Sequence, residues 1–99
     1  MVNHTGQFDA NLAAVAGDDP ALFLELREGF LESLRHQVDL LARARCDGNW
    51  EVAAQRLRGL GASFHFAELH ELAERALDGP PGEPVVVRQL QQLCSAFEV

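Results

Sequence analysis

Between Pro20 and Cys46, apolar side chains return every three or four residues: Phe23, Leu26, Phe30, Leu34, Val38, Leu41 and Ala44. That spacing holds them on one side of a helix, whereas a strand would alternate them every second residue. A long helix with a single apolar stripe has to bury it against other elements, so its packing partners decide the architecture. Glu25, Glu28, Glu32, Arg35, His36, Asp39 and Arg43 fall on the wet side, and Arg43 and Arg45 near the end suit the helix dipole. The start is marked by Gly17-Asp18-Asp19-Pro20. Asp18 or Asp19 can cap the helix, and proline suits its first turn.

The rest of the chain supplies those partners. Residues 1–7 carry no periodic signal and are expected to form a loose arm, followed by a short helix from Asp9 to Ala16 with Leu12, Val15 and Ala16 inward. After the long helix, Asp47-Gly48-Asn49 reads as a turn, with Gly48 fit for a left-handed position and Asp47 or Asn49 fit to cap. A third helix runs from about Asn49 to Phe64 and is expected to stop or bend near His65. A fourth begins at Ala67, with Leu69, Leu72, Ala73, Ala76 and Leu77 inward, and ends at Asp78-Gly79-Pro80-Pro81-Gly82, because two prolines cannot continue it. Pro84 opens a last helix whose stripe is Val86, Leu90, Leu93 and Phe97. The expected fold is a single all-α domain over residues 1–99. Its form is an up-and-down four-helix bundle with a short extra N-terminal helix.

Charge narrows the function classes. Eight basic residues against fifteen acidic ones give a net charge of -7, the wrong sign for nucleic acid or an anionic membrane. The polar start Met1-Val2-Asn3-His4-Thr5-Gly6 and the lack of a long apolar run point to a cytoplasmic protein without a signal peptide or span. Cys46 and Cys94 stand alone in helical patterns, which suits free thiols better than a zinc or redox site. No cofactor is expected, and no histidine pair has a metal-ligand spacing.

The third helix carries the feature that core packing does not explain. Ala53, Leu57, Leu60 and Phe64, joined by Trp50, share the expected core face, while Gln55, Gly59 and Ala62 lie opposite within roughly 60°. Glu51, Val52 and Arg58 flank them. A glycine on the wet side of a helix interior costs ~1 kcal/mol relative to alanine. Close approach by something from outside would account for it.

The stretch Gln55-Arg56-Leu57-Arg58-Gly59-Leu60-Gly61-Ala62-Ser63-Phe64-His65-Phe66-Ala67-Glu68-Leu69 resembles the central motif of histidine-phosphotransfer (HPt) domains of bacterial phosphorelays, H-x-L-K-G-[SA]-x-x-x-[FIL]-G-[FA]-x-x-L. Ala16-Gly17-Asp18-Asp19-Pro20, Phe30-Leu31 and Asp47-Gly48-Asn49-Trp50 extend the resemblance over roughly residues 8 to 78. Three positions depart from it: Gln55 stands where the family has its phosphoacceptor histidine, Leu60 where a small residue follows the glycine, and His65 where a second glycine closes the motif. A glutamine amide has no free nitrogen lone pair to attack a phosphoryl group, so Gln55 cannot carry phosphate. The resemblance therefore implies a non-enzymatic, pseudo-HPt module that binds a response-regulator receiver or a histidine kinase. Its partner-binding residues would be Gln55, Arg58, Gly59, Ala62, Glu51 and Val52.

Other readings stand beside it. The chain could be a phosphotransfer carrier that uses another histidine, or a histidine-to-glutamine form of an active HPt protein. His65 lies ten residues beyond Gln55, roughly 15 Å along the axis and roughly 80° around it, and reads better as a boundary residue whose ring covers apolar surface. His36 sits among Glu32, Asp39 and Arg43 on a wet face, His70 flanks the fourth helix and His4 lies in the arm. Glu68, Glu71 and Glu74 read as a solvated face, and Trp50 as a core anchor. Leu24 and Leu31, one heptad apart, offer a dimer seam unless the N-terminal helix covers them, and a monomer is the simpler expectation.

Overall fold

The computed structural model describes residues 4–97. Among these the chain is all-helical, with five helices and no strand: α1 (His4–Ala16), α2 (Pro20–Arg43), α3 (Asp47–Ser63), α4 (Ala67–Asp78) and α5 (Pro84–Ser95). α3 packs most extensively on α4 and next on α2; α5 lies against both α2 and α4, and α1 against α2. Each helix begins or ends where local chemistry requires. Gly17, at φ 66°, ends α1 in the left-handed region. Asp19 caps α2 by accepting from the Leu22 amide at 3.0 Å, and Glu83 caps α5 by accepting from the Val86 amide at 2.9 Å.

Several boundaries differ from the sequence reading. Residues 4–7 are helical rather than part of a loose arm, and residues 1–3 of that expected arm lie outside the described residues. Phe8 explains the change: it is 1% exposed and stacks on Phe30 at 4.3 Å, so burial draws the preceding turn into the helix. α2 ends at Arg43 rather than near Cys46, and Arg45 falls beyond it. α3 begins at Asp47, so Gly48 is helical rather than left-handed. The cap is neither Asp47 nor Asn49 but Cys46, whose Sγ accepts from the Asn49 amide at 3.5 Å.

The core is built from the expected stripes of α2, α4 and α5, with Phe30, Leu34, Val38 and Leu41, then Leu69, Leu72, Ala73 and Ala76, then Val86, Leu90 and Leu93 all buried. Phe23, Leu26, Ala44 and Leu77 are only partly buried at its margin. Val15, expected inward, is 71% exposed, and Leu12 and Ala16 alone face the core from that turn. Leu31 is buried while Leu24 is 62% exposed, so the two do not make a dimer seam.

α3 is rotated from its expected orientation. Its buried residues are Trp50, Ala53, Ala54, Leu57 and Gly61, while Leu60 and Phe64 are half-buried. Gly61 is the reason. A Cβ there would lie 2.7 Å from the His70 backbone nitrogen, closer than any side chain tolerates, so the missing side chain lets α3 and α4 approach. Trp50 anchors the other end of that contact, donating from its indole nitrogen to the Ala76 carbonyl at 2.9 Å.

Candidate functional site

The rotation of α3 turns one continuous face to solvent. Glu51, Val52, Gln55, Arg58, Gly59 and Ala62 are all exposed, as their positions on the helix demanded. Gly59 lies near the middle of this face, roughly 180° from the buried stripe, and a Cβ added there would meet nothing within 4 Å. Nothing among the described residues requires this glycine. Val52, 47% exposed, supplies an apolar surface one and two turns from the other members. Gln55 donates from Nε2 to Glu51 Oε1 at 3.2 Å across one turn, a contact between exposed groups that a competing partner can replace at little cost. Arg58 has no ion pair or hydrogen bond among the described residues, so its guanidinium is available for an incoming acceptor.

Two grooves border the face. On one side Glu51, Gln55 and Arg58 overlook the turn between α4 and α5, with Asp47, Trp50, Leu77, Gly79 and Pro81 completing a groove of about 470 Å³. On the other side Val52 and Arg56 look across to α2 over a groove of about 420 Å³, also lined by Gln37, Leu40, Arg43, Ala44, Asn49 and Ala53. The contributions of Arg56 and the α4–α5 turn were not evident from the sequence. Arg56 sits next to Gln55, but its facing depends on how far α3 is rotated. Nothing local announces that Pro81 folds back beside Gln55.

His36, His65 and His70 do not line the grooves beside Gln55. His65 is exposed at the joint between α3 and α4, with φ 54°, the only positive φ at a non-glycine residue among those described. It is a boundary residue between the two helices, as expected. His70 is half-buried on α4, with Nδ1 3.3 Å from Glu74 Oε1. His36 is exposed on α2. Among the described residues no group of three histidine, cysteine, aspartate or glutamate side chains is placed to hold a metal ion. Neither cysteine is in a disulfide; Cys46 is exposed and Cys94 half-buried. No described helix is long and apolar enough to cross a membrane.

The arrangement is an exposed helical face with Arg58 at one edge and a groove on either side. Compared with protein-family models, curated proteins and solved structures, the chain matches none.

Proposed function

We propose that this chain is a non-phosphorylatable, HPt-like docking protein of the cytoplasm. It binds a receiver or histidine-kinase domain through the Gln55–Gly59 face, as adaptor or competitor, and catalyses no transfer itself. The observation that carries the reading is that Gln55, Arg58 and Gly59, in register with the motif, are exposed together on one helical face; the open space at Gly59 is shared by Gly29, which has no motif around it. A helix interior keeps such a glycine at a cost of ~1 kcal/mol against alanine, and a partner's close approach to residue 55 offsets that cost.

Two further features support it. His65, the residue at the motif's second glycine, holds φ 54°, the backbone conformation for which glycine is the natural choice. The packing of α2 on α3, α3 on α4, α4 on α5 and α5 on α2 closes a ring of neighbours. With short connections, this favours an up-and-down four-helix bundle with α1 added to it.

The test is binding to a panel of receiver domains by calorimetry. Gly59→Arg is expected to abolish binding without unfolding the chain, and Gln55→His to confer labelling by a phosphorylated receiver. Binding that survives Gly59→Arg, or acid-labile phosphate on the wild-type chain, overturns the reading.

A further inference from the structure

We propose that the groove between α2 and α3, alongside the Gln55 face, takes an acidic amphipathic segment of the docking partner. Arg43 and Arg56 pair with its carboxylates, and Leu40 and Val52 cover its apolar side chains.

The charge of the groove is opposite to that of the molecule. The chain carries -7 overall, yet the residues lining this groove include two arginines and no carboxylate. Arg56 has no partner among the described residues. Among the described residues Arg43 is held only by Asp39, at 2.9 Å on its own helix and with both side chains more than half exposed. Such a pair contributes little and exchanges readily for a better acceptor. Every basic side chain in the protein is an arginine, whose planar fork can grip a carboxylate through two parallel hydrogen bonds.

The floor argues for a segment of polypeptide over a free anion. Leu40 and Ala44 are half-buried, Ala53 is buried and Val52 is 47% exposed, so the cavity offers apolar surface that a small anion would not use. Gln37 adds a carbonyl oxygen that is buried and lacks a hydrogen-bond partner among the described residues. Buried polar groups normally have partners, and a peptide brings N–H donors as well as side chains.

This inference rests on the docking reading only for the partner's identity. A direct test uses two synthetic helical peptides of equal length, each with leucines on one face, the remainder glutamate in one and lysine in the other. In an NMR titration of the full chain, the glutamate peptide is expected to shift the amides of Gln37, Leu40, Val52 and Arg56 saturably. Arg56→Glu, at an exposed site that leaves the helical circular dichroism unchanged, is expected to weaken binding about tenfold. Equal binding of the lysine peptide, shifts confined to other helices, no shifts at all, or indifference to Arg56→Glu overturns the proposal. A concentration-dependent dimer that Arg56→Glu abolishes also overturns it, by assigning the groove to a second copy.

The receiver panel separates the two readings. Loss of receiver binding in both Gly59→Arg and Arg56→Glu supports both. Loss in Gly59→Arg alone leaves the docking face standing and removes the groove from it. If no receiver binds the wild-type chain, the docking reading falls and the peptide titration alone decides the groove.

Discussion

Gly59 and Gly61 stand two residues apart on α3 and face opposite ways, roughly 200° around the helix. The same substitution at each should therefore have opposite signs. Gly59→Ala places its methyl in open solvent and is expected to stabilise the fold by about 0.5–1 kcal/mol through helix propensity alone. Gly61→Ala drives a methyl to 2.7 Å from the His70 backbone nitrogen. Backbone cannot swing aside as a side chain can, so a loss of about 1–3 kcal/mol is expected. Urea unfolding of both variants checks the pair, and equal effects would remove the packing argument. The outward facing of Gly59 was legible in the sequence, since it lies opposite Ala53 and Leu57. The role of Gly61 was not, because its position differs by a small rotation from residues that are merely half-buried.

At the scale of elements, starts and stops were largely legible, since they depend on chemistry within a few residues. Pro20 and Pro84 open helices after carboxylate caps, and Gly17 and the Pro80-Pro81 turn close them. The joint at His65 was visible as a break between two apolar patterns, but its handedness was not. Its backbone enters the left-handed region at φ 54°, where a residue with a Cβ is strained by roughly 1–2 kcal/mol. His65→Gly is expected to relieve about 1 kcal/mol of that strain, partly offset by the greater freedom of glycine in the unfolded chain. The thermal midpoint should rise accordingly, and a fall would show that the imidazole contributes more than the strain it causes. The start of α3 misled for a related reason. Asp47 and Asn49 are both good caps by type, but the helix already begins at Asp47, which leaves Cys46 to do the capping.

Across the whole molecule, one cluster of rings ties together segments far apart in sequence. Phe8 of α1 lies 4.3 Å from Phe30 of α2, 5.2 Å from Phe66 at the α3–α4 joint and 5.5 Å from Phe97 beyond α5. Phe64 adds a further ring 4.9 Å from Phe30. Asp9 and Arg27 pair beside it at 2.9 Å, with the Arg27 guanidinium 5.5 Å from the centre of the Phe97 ring. α1 is thus integral to the fold rather than appended, and Phe8→Ala is expected to cost about 3–5 kcal/mol. Chemical denaturation checks this, and a cost below about 1 kcal/mol would show that α1 is not integral to the fold. By itself the sequence determined that the chain is helical, where its helices break, and that Gln55, Arg58 and Gly59 share a wet face. Each of these follows from the spacing of side chains along one helix. Only the tertiary structure decided how far α3 turns about its axis, that Phe8 is buried while Val15 is exposed, and that Arg56 and Arg43 line one groove. Those depend on several helices packing at once, and the periodicity of a single helix records which side is inward without recording what it meets there.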